Sequence, residues 1–126
     1  MADKRVLIVD DASLVRFFYR DALERAGYVV DEAMNGLEAL EKLLVTPADL
    51  LIVDINMPKM DGLTFLQSLR RETLPLAATP AIVISTESSP KDIAAARAAG
   101  ANFYLVKPVA QDTLIRYVGM LCGLSG

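Results

Sequence analysis

A chain of 126 residues in which Ala, Val, Ile, Leu, Met, Phe, Trp, Tyr and Cys supply 53% is too apolar for a disordered protein, and one domain of this size buries about two-thirds of the surface its unfolded chain exposes. Thirteen Lys and Arg against sixteen Asp and Glu give a formal charge of −3 with no long basic run, which argues against direct nucleic-acid binding. A lone Cys122 excludes an internal disulfide, and the absence of histidine excludes His-based triads and zinc sites, leaving carboxylate, hydroxyl and amine chemistry.

The first apolar run, Val6-Leu7-Ile8-Val9, follows Lys4-Arg5 and is too short for a signal-peptide core, so it reads as a strand. Ser13 is the expected cap of a helix with the stripe Val15, Phe18, Tyr19, Ala22, Leu23 and Ala26, ended by Gly27. Tyr28-Val29-Val30 reads as a second strand, and Asn35 with Glu38 as a capping-box-like start before Leu37, Leu40, Leu43 and Leu44. Leu50-Leu51-Ile52-Val53 is the third strand, after which Asp61 caps a helix carrying Leu63, Leu66 and Leu69. The longest uncharged stretch, Thr73 to Thr86, holds Pro75 and Pro80 and is too short to span a bilayer, so no membrane insertion and a cytoplasmic location are expected. It contains the fourth strand, Ala81-Ile82-Val83-Ile84. Ser89-Pro90 opens a fourth helix that Gly100 closes, Phe103-Tyr104-Leu105-Val106 is the fifth strand, and a last helix runs from about Gln111 to Cys122 with Leu114, Ile115, Val118 and Leu121 inward.

Four of the five strand runs are continuously apolar, which suits strands covered on both faces and so a parallel sheet in an α/β fold. The βα period fills the chain five times, giving one domain over residues 1–126 with no room for an output domain.

In an open parallel sheet the functional crevice lies at the carboxyl ends of the strands. Asp10-Asp11 follow the first strand, Asp54 ends the third, Ser85-Thr86 end the fourth and Lys107 ends the fifth. Each signal alone has a plain alternative: an acid pair is often a helix cap, Lys-Pro is usually a turn, and a strand-end Ser or Thr mostly bonds backbone. Together they converge on one edge, where three carboxylates call for a hard cation such as Mg²⁺, and a cation beside a carboxylate, a hydroxyl and an ammonium suits a phosphoryl group.

Val9-Asp10-Asp11, the run Asp54-Ile55-Asn56-Met57-Pro58-Lys59-Met60-Asp61-Gly62, Ser85 and Lys107-Pro108 resemble, in order and spacing, the receiver domain of two-component response regulators. The likeness spans essentially the whole chain and is nearest to stand-alone receivers of the chemotaxis CheY type. It implies a flavodoxin-like (βα)5 doubly wound sheet of order 2-1-3-4-5. It also implies that Asp54 is the phosphoacceptor, served by a histidine kinase, a histidine phosphotransfer protein or a small donor such as acetyl phosphate. Asp11 and Asp54 would bind Mg²⁺ directly, Asp10 through water, and the Asn56 main-chain carbonyl would add a ligand. Lys107, with a cis bond to Pro108, would pair with phosphoryl oxygens and, with Mg²⁺, keep Asp54 ionised, while Ser85 would bond the phosphoryl group. Tyr104 stands where the family's switch aromatic changes rotamer. Such a protein is no enzyme on external substrates; it catalyses only its own phosphorylation and dephosphorylation.

Departures are expected to matter locally. Thr86 replaces the usual Ala or Gly and is expected to crowd the phosphoryl pocket, whereas Asn56 and Glu87 match residues that accompany fast self-dephosphorylation, so the phosphoryl lifetime stays open. Val109 replaces a common aromatic and Ala110 a Ser or Thr cap, a loss of about 1 kcal/mol at the last helix that Asp112 partly offsets through the helix dipole. Phe17 points about 200° from Val15 at 100° per residue and so is expected to be an exposed docking contact for a kinase or phosphotransfer helix. The alanines 94–96, 98 and 99 of the fourth helix suit an element that shifts at little packing cost or one that lies close on the sheet, and Ile93 and Tyr104 are candidate contacts for a downstream protein target.

Three function classes follow. The first is a monomeric phosphorylation switch with a chemotaxis or motility target, or alternatively a phosphorelay intermediate or phosphate sink without its own target. The second is a non-phosphorylated interaction module, which the intact acids, hydroxyl and Lys disfavour. The third is a haloacid-dehalogenase-type phosphatase, which generally carries a second Asp where this chain has Asn56.

Overall fold

The computed structural model describes residues 3–57 and 59–122; Pro58, part of the run that carries the resemblance, lies outside them. Strands β1 (Arg5–Val9), β2 (Val29–Ala33), β3 (Leu50–Asp54), β4 (Ala81–Ser85) and β5 (Phe103–Val106) alternate with helices α1 (Ser13–Arg25), α2 (Gly36–Val45), α3 (Gly62–Arg70), α4 (Pro90–Ala99) and α5 (Gln111–Cys122). All four strand pairs are parallel and the order is β2-β1-β3-β4-β5, the flavodoxin-like topology.

Strand side chains alternate between faces, which is why the central strands are apolar throughout. Leu7, Val9, Leu51, Val53 and Val83 face Ala39, Leu43, Phe65, Leu66, Leu69, Ala96 and Ala99 of α2, α3 and α4. Val6, Ile8, Leu50, Ile52, Ile82 and Ile84 face Tyr19 and Leu23 of α1 and Leu114, Val118 and Cys122 of α5.

Local chemistry sets the helix ends. Asn35 Oδ1 accepts from Glu38 N at 2.9 Å, Asp61 Oδ1 from Thr64 N at 2.8 Å, and Ser89 Oγ from Asp92 N at 3.2 Å. Gly100, at φ 111°, ends α4 in the left-handed region. The first helix departs from expectation, because Ser13 is already helical and the cap is Ala12, whose N–H donates to Asp10 Oδ1 at 2.9 Å. No side-chain hydrogen bond caps the start of α1.

The second strand begins at Val29 and runs to Ala33, past the apolar triplet. As an edge strand it accommodates Asp31 and Glu32, which pair with Lys42 and with Arg16 and Arg20. The other edge, β5, is only partly covered, with Val106 exposed. Three helical stripes differ from expectation: Phe18 in α1, Ala26 just past its end, and Leu37 and Leu44 in α2 are exposed, whereas Ala39 and Phe65 are buried. Each helix lies on a sheet at a slight offset from its apolar sector, and the small Ala39 lets α2 approach closely. At α5, Val109 is buried among the α1 and α5 side chains. At the start of α5, Asp112 Oδ1 accepts from Thr113 N at 2.8 Å, and Gln111 Nε2 donates to Phe18 O at 2.9 Å, tying α5 to α1.

Candidate functional site

Register places the acids. Val9 of β1 is level with Val53 of β3, so Asp10 and Asp54, one residue further on, leave adjacent strands side by side. Neighbouring strands are about 4.8 Å apart, which sets the carboxylate spacing. Oxygens of Asp10, Asp11 and Asp54 all lie within 4.8 Å of one another, with Asp10 and Asp54 buried and Asp11 exposed. Lys107 reaches from the end of β5, its Nζ 3.4 Å from Asp54 Oδ1 and 3.5 Å from Asp10 Oδ2. Its bond to Pro108 is cis.

The site holds three carboxylates and one ammonium. Burial pushes the Asp54 carboxyl above its ordinary range and the Asp10 charge adds to the rise; Lys107 pulls it down without offsetting them, and Asp11 raises it further. Lys107 therefore offsets only part of the cost of the Asp54 charge, and a second positive charge favours the ionised form further. The donor set fits one: three convergent carboxylates, all oxygen, with a negative excess, suit a hard divalent cation. Burial, and then the charges of Asp10 and Asp54, push the Tyr19 hydroxyl up to about 12, so it stays protonated beneath the site.

Beside the acids, Ser85 is buried at the end of β4, its Oγ accepting from Glu87 N at 3.1 Å. Tyr104 Oη donates to Glu87 O at 2.7 Å, so the backbone of Glu87 joins the two residues. Thr86, Glu87 and Asn56 are exposed around the rim. Close backbone approach is required at Gly62, where a Cβ would collide with the Asp54 main-chain oxygen and stand 2.9 Å from Ile55 Cα.

The structure thus brings Asp10, Asp11, Asp54 and Lys107 together, with Ser85, Asn56, Thr86, Glu87 and Tyr104 on the strand ends and loops of the same edge. The contact candidates separate onto two surfaces. Phe17, 67% exposed, lies on α1, whereas partly buried Ile93 is on α4, packed on the opposite face of the sheet. An apolar groove lined by Leu14, Phe18, Tyr19, Lys107 and Val109 flanks the acids on the α1 side. Sequence reasoning missed Arg16 and Glu32, which meet at 2.7 Å beside the acidic turn; their only signal was a pair of opposite charges on elements that topology brings together.

The pattern of the response regulator receiver domain matches residues 6–119. This chain belongs to that family. It is a CheY-like receiver: it is 36% identical over 123 residues to chemotaxis protein CheY1 of Helicobacter pylori, covering 96% of this chain and 98% of that protein. The solved structure of the Vibrio cholerae chemotaxis response regulator CheY4 superposes with a TM-score of 0.89 at 36% identity, covering 95% of this receiver and 99% of that chain. The receiver is also 42% identical over 133 residues to the protein-glutamate methylesterase/protein-glutamine glutaminase of Archaeoglobus fulgidus, covering 96% of this chain and 37% of that protein. It matches the CAI-1 autoinducer sensor kinase/phosphatase CqsS of Vibrio cholerae at 34% over 116 residues, 92% of this chain and 17% of that protein. Family membership places the receiver among the proteins of two-component phosphorelay signalling. Among the described residues no helix is long and apolar enough to cross a membrane.

Proposed function

We propose that the chain acts as a response-regulator receiver in which a phosphoryl group moves from a kinase phosphohistidine to Asp54 and so switches binding to a chemotaxis or motility-type protein target. The observation that carries this reading is the convergence of Asp10, Asp11 and Asp54 with Lys107 on one strand edge.

An Asp54 carboxylate oxygen forms the new bond to phosphorus while the phosphorus–nitrogen bond to the donor imidazole breaks, its electron pair staying with the imidazole. Lys107, 3.4 Å from Asp54, stabilises the charge on the phosphoryl oxygens, so catalysis is positioning plus electrostatics. Asp11, Asp54 and the Asn56 carbonyl would hold Mg²⁺. Asp10 acts at one remove, since one of its oxygens already accepts from Ala12 N and the other faces Lys107. Bound Mg²⁺ supplies charge neutralisation to the nucleophile and the phosphoryl oxygens. Thr86 and Glu87 border the entry of donor and hydrolytic water, and Asn56 faces it from the neighbouring loop.

Ser85 bonds the arriving phosphoryl group and Tyr104 reports it, because both are joined to the Glu87 backbone. The group favours one arrangement only as far as it interacts differently with each. A histidine donor docks on α1 around Phe17, and the target reads α4 and β5 through Ile93 and Tyr104.

Incubation with Mg²⁺ and acetyl phosphate or a phosphohistidine donor is expected to add one phosphoryl group by mass. No gain with any donor, or a gain that persists in Asp54→Ala, overturns the reading. A target captured equally with and without beryllofluoride removes the switch and leaves a relay or sink.

A further inference from the structure

We propose that the end of β2, the one strand end that offers no group to the phosphoryl site, positions the site's two loops, with Arg16 as the positioning residue and Glu32 as its anchor. This rests on the reading of Asp10, Asp11 and Asp54 given above.

Arg16 Nη1 donates to the Asp10 main-chain oxygen at 2.6 Å, and its Nε donates to Glu32 Oε1 at 2.7 Å. Its side chain is only 12% exposed, and the second Glu32 oxygen is held by Arg20. From the other side, Asp10 N donates to Ala33 O at 3.1 Å. Both backbone polar groups of Asp10 are therefore fastened to β2, one directly and one through the guanidinium. The same segment reaches the second loop, where Gly36 N donates to Met60 O at 3.2 Å. A Cβ at Gly36 would stand 2.8 Å from Met60 Cγ and 2.9 Å from Met60 O, so the loop that follows Asp54 rests directly on the start of α2.

The physical need is clear from the charges. Carboxylates drawn to within 4.8 Å repel, and a turn with free backbone groups would relax by carrying Asp10 and Asp11 outward. Hydrogen bonds behind the ligands resist this, and loss of such support typically weakens metal binding about 10–100-fold. A guanidinium serves a carbonyl and a carboxylate at once with its planar fork, which an ammonium does not.

Arg16→Gln separates positioning from charge. Removing a cation near an acidic site strengthens Mg²⁺ binding by Coulomb's law alone, whereas loss of positioning weakens it. Calorimetric titration with Mg²⁺ is expected to show at least about 10-fold weaker binding for Arg16→Gln and a smaller loss for Arg16→Lys, which keeps the charge without the fork. In metal-free protein, amide exchange at Asp10 and Ala12 is expected to accelerate in both variants, while Leu51 and Ile52 in β3 keep their protection. Equal or tighter Mg²⁺ binding, or unchanged exchange at Asp10 and Ala12, overturns the proposal. Should Arg16→Gln fail to fold, Arg16→Lys, which keeps the charge, carries both measurements. A wild-type protein that takes up no Mg²⁺ defeats the reading of the site itself, and amide exchange then decides the positioning claim on its own.

Discussion

Asp54→Asn, which keeps the shape of the side chain and removes its charge, is expected to stabilise the metal-free protein. Asp54 is 7% exposed and Asp10 3%, with oxygens of Asp10, Asp11 and Asp54 within 4.8 Å of one another and Lys107 Nζ 3.4 Å from Asp54. At an effective dielectric of about 20, unit charges at the longer distance repel by about 3.5 kcal/mol and at the shorter attract by about 5 kcal/mol. Two repulsions exceed the one attraction by about 2 kcal/mol; solvent screening of exposed Asp11 reduces that excess, and the burial of an ionised carboxylate restores it. The net penalty is about 2 kcal/mol, equivalent to a rise in Tm of about 7 °C for a domain of this size. Thermal unfolding in EDTA at neutral pH measures it. Because the folded state raises the Asp54 pKa, folding takes up a proton, and ionised Asp54 opposes folding at any pH above that raised value. The advantage of Asp54→Asn is therefore full at neutral pH, shrinks as pH falls through the folded value, and is gone below the unfolded value of about 3.9. Added Mg²⁺ at about 100 times its Kd stabilises wild type by about 2.7 kcal/mol and closes the gap. A variant that melts at or below wild type in EDTA, or a gap that does not shrink on acidification, refutes the electrostatic account.

Lys107→Ala leaves buried Asp10 and Asp54 without a cation and is expected to cost about 3 kcal/mol in metal-free chemical denaturation, and to slow phosphoryl transfer in a radiolabel assay even where some transfer survives. Gly62→Ala drives a methyl into the Asp54 backbone, with an expected loss of about 3 kcal/mol; an unperturbed melting temperature contradicts that close approach. Phe17→Ala, at an exposed position, is expected to change stability by less than about 0.5 kcal/mol and to slow transfer from a phosphohistidine donor while leaving acetyl phosphate kinetics unchanged. Equal slowing with both donors places its effect within the site rather than in docking.

Much of the fold was legible because local signals agreed with one another. Continuous apolar runs marked β1, β3 and β4, and the caps at Asn35, Asp61 and Ser89 form the bonds that their spacing implied. Reading failed where an element's surroundings decide. Ser13 lies inside the first turn of α1 and leaves the capping position to Ala12, whose side chain makes no hydrogen bond and whose N–H is held by the Asp10 carboxylate. Strand β2 outran its apolar triplet because an edge strand lets Asp31 and Glu32 lean toward solvent and toward Arg and Lys partners. Leu37 and Leu44 were read as core, yet they are exposed, since periodicity gives the width of an apolar sector and not the rotation at which a helix settles.

At the site the division is the same. The sequence alone determined which chemistry is possible: acids, a hydroxyl and an amine at successive strand ends, with no histidine to compete for the role of nucleophile or base. Their joint placement at one edge followed from a parallel sheet, in which every strand ends on the same side. Only the tertiary structure decided the electrostatic balance, because the Asp54 pKa depends on burial and on distances to Asp10, Asp11 and Lys107, residues up to 53 positions away. It also revealed the grip of β2 on the acidic turn, through Arg16 and Glu32, sixteen positions apart. Composition and spacing register which groups are present, but the free energy of a charge is set by its neighbours in space, and these are fixed only when the sheet closes.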